Sequence, residues 1–310
     1  MVDITLKQTT LRTASGEGFV YFSKATLNLI ETDSLPKGNL YDIAKAAAML
    51  AAKNTSNIIP HCHPVSIDHL ATVFSHQENS SDACCRVFCQ AKSIGRTGIE
   101  MEVLTAIAAA CLTIYDLLKP VDPELSIRDI KLLSKTGGKS QLAKNLIPQD
   151  GKVSFALVTI SDSVSSGRGQ DKSGPAMIGF LQKYGLILHE HIVVPDDAKA
   201  IAESIKKYSE TKVPMIFTTG GTGPSSRDVT FEAIEPLLEK RFAGIEEKMR
   251  AFGAERNPLA MFSRSLAGIK NESCVIALPG STNGVLESLH AIMPGLLHIL
   301  EAIQPGFKHE

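Results

Sequence analysis

The sequence has few cysteines, no strongly basic segment and little sign of a membrane span. Its six cysteines are spread over 310 residues, and none are spaced C-x-x-C. Because secreted disulfide frameworks are denser and belong to smaller domains, we expect free thiols in a reducing cytoplasm. A net charge of -1 gives no basic footprint for nucleic acid.

The sequence also carries little sign of a membrane span or a signal peptide. The longest apolar stretch, LTAIAAACLTIYDLL at 104–118, looks too short and too polar for a membrane span. The first residues, MVDITLKQTT, lack the apolar core of a signal peptide. We therefore expect a soluble, cytoplasmic protein without a membrane or nucleic-acid partner.

The cysteine-rich segment DACCRVFCQAKSI alternates like a β-strand. Alternation places Cys85, Val87 and Cys89 on one face of the strand and Cys84 on the other. Free cysteine behaves as a small apolar side chain, so we expect buried or half-buried thiols here, with metal binding as the alternative.

The segment AKNLIPQDGK contains Pro, Gly and polar residues, and the regions on its two sides differ in their pattern of predicted helices and strands. It therefore predicts a linker at 143–151 between domains at 1–142 and 152–310. The first region predicts helices at 40–53 and 103–119 and a strand near 83–92. The second alternates predicted strands and helices, which indicates an open, mostly parallel α/β sheet. Its strands are predicted at 152–161, 187–194, 213–221 and 274–280, with helices at 174–184, at 197–208 and from about 229.

The carboxyl ends of the predicted parallel strands carry polar or Gly-rich loops. These are SDSVSSGRG, PDD, GGTGPSSRD and LPGST. Ligands of open α/β sheets bind outside these strand ends, so the four loops should gather at one edge and form a site.

Several charged residues in the first region have spacings or turn contexts that are typical of a catalytic or binding site. Glu100 and Glu102 of TGIEMEV would share one face of an extended segment. Asp116 and Lys119 of YDLLK lie three apart on a helix and within pairing reach. Lys37 and Lys139 stand in turn contexts, LPKGNL and TGGKS. Each of these residues alone could be a surface charge or ion pair.

Together, these motifs resemble the MoaC family, the cyclic pyranopterin monophosphate synthases of molybdenum cofactor biosynthesis. The likeness runs through MVDIT, KGNLYDIAKAAAMLAAKNTSNIIPHCHP, TGIEMEVLTAIAAACLTIYDLLK and KLLSKTGGKS. It implies an α+β ferredoxin-like plait that converts 3′,8-cyclo-7,8-dihydro-GTP to cyclic pyranopterin monophosphate and pyrophosphate without a required metal. The matched functional positions are Arg12, Lys37, His63, Glu100, Glu102, Asp116, Lys119 and Lys139.

The residue types suit that reaction. Lys37 and Lys119 would form a general acid/base pair, with Asp116 holding Lys119, and Glu100 and Glu102 would orient the purine-derived ring. The substrate's negative charges would be neutralised by Arg12, His63 and Lys139.

Three potential metal ligands stand side by side in IIPHCHPVS: His61, Cys62 and His63. A metal-binding regulatory module is one interpretation, but H-x-H alone supplies no third ligand. The resemblance assigns His63 to the substrate and leaves His61 without a role. Asn39 also departs from the family, which more often has an acid there.

In the second region TTGGTGPSSRD, at 218–228, is the strongest motif. Its glycines would let the backbone approach a phosphate, although the spacing is neither GxxxxGK[ST] nor GxGxxG. Together with SDSVSSGRGQDKSGPAM, VVPDD, FSRSLAG and ALPGST it resembles the MogA/MoaB family. Active members of that family transfer AMP from ATP to molybdopterin with Mg2+.

The resemblance implies that Asp196 and Asp228 hold Mg2+ at the triphosphate and that one of them aids activation of the attacking group. A phosphate cradle is expected from Gly220, Gly221, Thr222 and Gly223. The rim is expected from Ser161, Asp162, Ser263, Arg264, Pro279, Gly280 and Ser281. ALPGST is closer to the MoaB-like branch, some members of which do not adenylylate, whereas RD at 227–228 follows the active pattern. A non-catalytic molybdopterin-binding or scaffold domain is therefore the alternative.

Both families form symmetric oligomers, hexamers and trimers respectively. The resemblances together imply a trimer-based homo-oligomer, possibly a hexamer, with the first active site between subunits.

Overall fold

The computed structural model describes residues 1–78, 82–138 and 153–303, together with Leu146. The chain divides into two compact units, Met1–Gln141 and Leu142–Glu310. The predicted linker lies outside the described residues except for Leu146, which packs against the core of the second unit.

In its described part the first unit consists of four strands and the helices between them. The strands are β1 (Thr10–Ser23), β2 (His69–Glu78), β3 (Asp82–Gly95) and β4 (Ser126–Thr136). The helices are α1 (Lys24–Glu31), α2 (Leu40–Lys53), α3 (Thr55–Ile58) and α4 (Glu100–Leu118).

The sheet of the first unit has the order β2-β3-β1-β4, and every neighbouring pair is antiparallel. The central pair, β1 and β3, is in register from Thr10 opposite Gly95 to Ser23 opposite Asp82. The predicted α+β class is confirmed, and the element order is consistent with a ferredoxin-like plait.

Helix α4 is the central helix of the first core. Ile107 and Ile114 are fully buried against the sheet and α2, and burial of such side chains contributes about 1.5–3 kcal/mol each. The helix begins at Glu100, three residues before its predicted start, because carboxylates in a first turn interact favourably with the helix dipole. It ends one residue before Lys119, which precedes Pro120.

Among the described residues, α4 is long and apolar enough to cross a bilayer by length and composition alone. The expectation that this stretch is too short and too polar is therefore not supported by those criteria. Its apolar residues are instead accounted for by packing, because its Val103, Ile107 and Ile114 lie in the core.

The cysteines are free thiols, as predicted. Cys84, Cys85 and Cys89 are buried in β3, and Cys62 is half-buried. Cys84 is buried although it lies on the opposite face of the strand from Cys85. Burial raises the pKa of Cys85 to about 12, which keeps it in the neutral thiol form.

The second unit alternates strands and helices along most of its described length. The strands are β5 (Ser154–Ile160), β6 (Ile187–Val194), β7 (Met215–Thr219), β8 (Lys240–Arg241), β9 (Leu266–Lys270) and β10 (Ser273–Leu278). The helices are α5 (Asp162–Ser165), α6 (Ser173–Gln182), α7 (Ala198–Glu210), α8 (Thr230–Ile234), α9 (Ala243–Ala254), α10 (Thr282–Ile292) and α11 (Ile299–Ala302).

The second sheet has the order β6-β5-β7-β10-β9-β8. The first four strands are mutually parallel, and β9 and β8 add an antiparallel edge. This confirms the predicted mostly parallel α/β sheet.

Strand β5 shows why the strands of the second unit have continuous apolar runs in their sequence. Phe155 and Leu157 belong to the core on one face of the sheet, whereas Ala156 and Val158 belong to the core on the other. A strand covered on both faces buries successive residues, so its apolar side chains follow one another in the sequence instead of alternating with polar ones.

Candidate active sites

Lys37, Asp116 and Lys119 meet at the C-terminal end of α4. Lys119 Nζ lies 2.6 Å from Asp116 Oδ1, and Lys37 Nζ lies 3.6 Å from Oδ2 of the same carboxylate. Lys37 Nζ also donates to the backbone carbonyl of Asp116 at 3.0 Å. All three side chains are at least 40% exposed, so this cluster is open to a ligand.

Asp116 and Lys119 shift each other's pKa in opposite directions. The hydrogen bond and positive charge of Lys119, with the charge of Lys37, lower the pKa of Asp116. The same hydrogen bond raises the pKa of Lys119. Lys119 is therefore protonated at neutral pH and can donate a proton or bind an anion.

A second cluster lies at the N-terminal end of α4. Arg12 of β1 is buried, and its Nε donates to the carbonyl of Gly95 at 3.3 Å. Burial lowers the pKa of Arg12, and the negative charge of Glu100 acts in the opposite direction. Lys135 Nζ lies 3.3 Å from Glu100 Oε1 and places a further cation there.

The prediction that Glu100 and Glu102 share a face of an extended segment is wrong. Both lie in the first turn of α4, where residues two apart are rotated by about 200°. Glu100 remains partly exposed, whereas Glu102 is buried. Burial, and to a smaller extent the charge of Glu100, raises the pKa of Glu102, and a hydrogen bond from its own backbone N–H lowers it, with a net increase.

The IIPHCHP loop lies close to this second cluster. Burial and the charges of Glu102 and Glu100 raise the pKa of the Cys62 thiol. The next residue in the chain, His63, is half-buried, and His61 is exposed. Across 1–78, 82–138 and 153–303, no three His, Cys, Asp or Glu side chains are placed to hold a metal ion.

Lys139 lies outside the described residues. The preceding TGG motif is described in full, as far as Gly138, and the Gly137 carbonyl accepts a hydrogen bond from Thr10 Oγ1 at 2.8 Å.

The two clusters are far apart within one chain. Asp116 and Glu100 occupy opposite ends of the continuous helix α4, about 24 Å apart along the axis at about 1.5 Å per residue. A ligand the size of a nucleoside triphosphate cannot contact both clusters closely from one position on a single chain.

In the second unit, the structure brings the four loops together at the carboxyl ends of the parallel strands. Gly220 and Gly221 follow β7 with φ angles of 109° and 63°. A Cβ on Gly220 would collide with the Ile160 carbonyl oxygen, and one on Gly221 would collide with Thr230 Oγ1. Glycine is required here because the loop crosses so close to β5 and α8.

Asp196 is fixed by a reciprocal pair of hydrogen bonds with Asp162. The Asp162 N–H donates to Asp196 Oδ2, and the Asp196 N–H donates to Asp162 Oδ1, both at 3.0 Å. Burial and then the negative charge of Asp228 raise the pKa of Asp196. Asp228 Oδ2 accepts the Ser225 N–H at 3.0 Å. The two predicted carboxylates are therefore held near each other, where their repulsion favours a cation.

Two cavities meet at these residues. The first has a volume of about 510 Å³ and includes the apolar side chains of Leu259 and Phe262. The second has a volume of about 430 Å³ and includes Asp196. Both cavities are lined by Gly221, Asp228, Gly280 and Ser281.

The predicted cradle and rim residues divide between the two cavities. Thr222, Gly223, Ser263 and Pro279 line the first, whereas Ser161 and Gly220 line the second. Asp162 lines an adjoining cavity, also of about 430 Å³, that shares Ser161 and Asp196 with the second.

Arg264 was expected at the rim of the site, but it lines none of these three cavities. Its Nε donates to the Gly223 carbonyl at 3.0 Å, and its terminal nitrogens contact Glu232 and the Asp228 carbonyl. Arg264 thus holds the GGTGPSSRD loop in place.

Several residues that line the second cavity were not predicted from the sequence. Asp171 and Ser173 line the second cavity, and both stand in the QDKSGP part of a motif already noted. Asp171 Oδ2 accepts from Thr159 Oγ1 at 2.7 Å and lies 3.2 Å from His191 Nε2. Ser173 Oγ donates to the Gly280 carbonyl at 2.8 Å, so this segment ties the walls of the cavity together.

Comparison with known proteins matches each unit to one family. Residues 1–138 match the model of the MoaC family, and residues 156–298 match that of the "Probable molybdopterin binding domain" family. The molybdenum cofactor biosynthesis bifunctional protein of Chlorobaculum tepidum is 34% identical over 296 residues, which cover 96% of this chain and 92% of that protein. The chain belongs to this family of bifunctional proteins.

Each half of the bifunctional chain also has shorter relatives. The cyclic pyranopterin monophosphate synthase of Parvibaculum lavamentivorans is 43% identical over 140 residues, covering 45% of this chain and 86% of that protein. The crystal structure of the molybdopterin biosynthesis enzyme MoaB of Thermus thermophilus is 32% identical, with a TM-score of 0.47. It covers 49% of this chain and 96% of that one.

Proposed function

We propose that the first unit converts 3′,8-cyclo-7,8-dihydro-GTP to cyclic pyranopterin monophosphate and pyrophosphate. The identity to the Parvibaculum lavamentivorans synthase supports this reaction. The Lys37–Asp116–Lys119 cluster supports it chemically, because two ammonium groups share one carboxylate at an exposed site. The element and sheet orders support a ferredoxin-like plait as its fold.

The two clusters suggest a division of work in this reaction. Protonated Lys119 would supply a proton to a leaving oxygen or nitrogen, with Lys37 as its partner in acid–base transfer. Buried Glu102, with its raised pKa, would exchange protons with the purine-derived ring, which Glu100 helps to orient. Arg12 would neutralise phosphate charge together with His63 and Lys139. This chemistry requires no resident metal.

Because the clusters lie at opposite ends of α4, the complete site would combine one cluster from each of two subunits. This supports a homo-oligomer, for which the trimer-based assembly expected from the sequence is a candidate.

Replacement of Lys37 by Ala tests the first reaction. We expect the variant to lose nearly all cyclic pyranopterin monophosphate formation, as quantified by chromatography of the product. Lys45→Ala removes an exposed lysine of α2 and should retain full activity. Equal activity of the two variants would exclude the proposed role of Lys37.

For the second unit, we propose transfer of AMP from Mg-ATP to molybdopterin. The observation that carries this proposal is the pair Asp196 and Asp228 at the junction of two cavities. The cavity with Leu259 and Phe262 suits a planar pterin, whereas the Gly-lined cavity with Asp196 suits phosphates. A group can pass between two substrates where their cavities meet.

The donor set fits Mg2+. Two carboxylates at one cavity, each with one oxygen already hydrogen-bonded to backbone, match the preference of Mg2+ for one or two carboxylates plus substrate phosphates and water. Bound there, Mg2+ would neutralise triphosphate charge. Asp196 and Asp228 would hold the ion, and the Gly220–Gly221 backbone would position the α-phosphate.

The decisive experiment incubates the protein with molybdopterin and Mg-ATP and looks for adenylylated molybdopterin by chromatography. We expect product from the wild type and none from Asp228→Ala, while the surface variant Glu203→Ala behaves as wild type. Molybdopterin binding without product in the wild type would instead identify a binding or scaffold domain.

A further inference from the structure

Two arginines line an outer cavity that includes Asp196. This cavity adjoins the one proposed above for phosphates. This outer cavity of about 430 Å³ is lined by Ser161, Asp162, Ser163, Arg168, Asp196 and Arg227. Within the described part of the chain, Arg168 and Arg227 are the cations in this lining. They come from different loops, one after α5 and the other in the GGTGPSSRD loop.

Arg227 is positioned by a residue that also positions Asp196. Its Nη2 contacts Asp162 Oδ2, while Asp162 Oδ1 accepts the Asp196 N–H at 3.0 Å. The side chain of Arg227 is nonetheless 75% exposed. An ion pair so exposed adds little stability, and the arrangement instead presents a guanidinium beside the carboxylate assigned to Mg2+.

Arg168 lines the same cavity and is held by hydrogen bonds of its own. Its Nε donates to Ser166 Oγ at 2.9 Å, and its backbone N–H donates to the Ser163 carbonyl at 2.9 Å. These bonds fix the turn that carries Arg168, so both guanidinium groups border one space whose other charged lining residues are Asp162 and Asp196.

From this arrangement we propose that Arg168 and Arg227 form the subsite for the β- and γ-phosphates of ATP, the part that leaves as pyrophosphate. The inference rests on the adenylyl transfer proposed above. In that step an oxygen of molybdopterin forms a bond to the α-phosphorus, the bond from this phosphorus to the α,β-bridging oxygen breaks, and the electron pair stays on pyrophosphate. Guanidinium groups bind phosphate oxygens in bidentate fashion and stabilise this leaving charge.

The test compares Arg227→Gln, Arg168→Gln and the double variant with wild type in the full-length protein. Lys199→Gln, which removes a cation of α7 that is 85% exposed, controls for loss of one positive charge. Calorimetry measures the Kd of Mg-pyrophosphate and of AMP, and steady-state kinetics gives KM for ATP and for molybdopterin. Thermal melting checks folding, and Arg227→Lys tests for partial rescue by charge alone.

We expect each single arginine variant to weaken Mg-pyrophosphate binding by about tenfold and to raise KM for ATP similarly, because each loses a charge-assisted hydrogen-bonding group. The Kd of AMP and KM for molybdopterin should stay at wild-type values. The double variant should show the larger loss.

Other results would overturn the subsite. No binding of Mg-pyrophosphate by the wild type, or equal binding by wild type and both single variants, would do so. A rise in KM for molybdopterin with unchanged pyrophosphate affinity would show that the arginines bind a phosphate of the pterin instead. If the wild type binds Mg-pyrophosphate through the arginines but forms no adenylylated product, the subsite stands and the proposed transfer fails.

Discussion

At the scale of single residues, Asp116 controls the charge state of the first cluster. Its carboxylate binds Lys119 and Lys37 together, which lowers its own pKa and raises that of Lys119. The pairing with Lys119 is present from above the ordinary carboxyl pKa of about 3.9 to below the ordinary lysine pKa of about 10.4. It is lost as pH falls through the lowered pKa of Asp116 or rises through the raised pKa of Lys119.

Asp116→Asn should therefore lower the pKa of Lys119 toward its ordinary value. If Lys119 acts as an acid, the alkaline limb of the pH–rate profile for cyclic pyranopterin monophosphate formation should move to lower pH. NMR titration of the lysine Nζ groups gives a direct second readout. Asp129→Asn, an exposed position on β4, should leave both profiles unchanged, and an unshifted alkaline limb in Asp116→Asn would contradict the role of Lys119.

The sequence predicted some of these residue pairs better than others. The pairing of Asp116 with Lys119 followed from their i,i+3 spacing on a helix, which fixes distance locally. The placement of Lys37 at the same carboxylate depends on tertiary packing, and no local spacing encodes it. Glu100 and Glu102 were assigned to the wrong backbone conformation, because a two-residue spacing carries meaning only once helix or strand is known.

At the scale of elements, Asp122 joins the start of α1 to the segment after α4. The carboxylate is buried, and it accepts hydrogen bonds from the Ser23 N–H at 2.8 Å and Thr26 Oγ1 at 2.7 Å. The Glu124 N–H donates to its other oxygen at 2.9 Å. Burial acts to raise the pKa of Asp122, but these hydrogen bonds outweigh it, and the pKa is lowered.

Replacement of Asp122 by Ala should leave the Ser23 and Thr26 donors without their partner and cost about 1–3 kcal/mol. We expect faster amide exchange in α1, Lys24–Glu31, measured by mass spectrometry on the full chain. Because a lowered carboxyl pKa stabilises the fold above the ordinary value and not below the lowered one, the difference from wild type should shrink in acid. Unchanged exchange at neutral pH, with Asp129→Asn as control, would contradict this account.

In the second unit, the sequence predicted the parallel strands because both faces are covered, which leaves continuous apolar runs. The helices α9 and α10 and the antiparallel strand β9 were not predicted. As a result, the pterin-sized cavity was missed, since its walls include Arg250 of α9 and Glu287 of α10. Loops that follow parallel strands are placed by topology, whereas cavity walls depend on how later helices pack.

At the scale of the whole molecule, the separation of the two clusters in the first unit has a consequence for assembly. One chain presents the Lys37–Asp116–Lys119 cluster and the Arg12–Glu100–Glu102 cluster at opposite ends of one helix. A symmetric interface can bring one end of α4 close to the other end in a second copy. Exposed Leu112 and Tyr115 on α4 provide apolar surface of the kind that such interfaces bury.

A mixing experiment tests this arrangement. Lys119→Ala and Glu102→Gln should each be inactive alone, because each removes one cluster's contribution from every site. When the two variants are unfolded together and refolded in equal amounts, random pairing should give about a quarter of the sites one intact cluster from each partner. We therefore expect recovery of about a quarter of wild-type cyclic pyranopterin monophosphate formation if subunits pair at random. Lys119→Ala refolded with Lys37→Ala should recover nothing, because both changes damage the same cluster. No recovery in the first mixture, with mixed oligomers verified by mass spectrometry, would mean that each site uses residues of one chain alone.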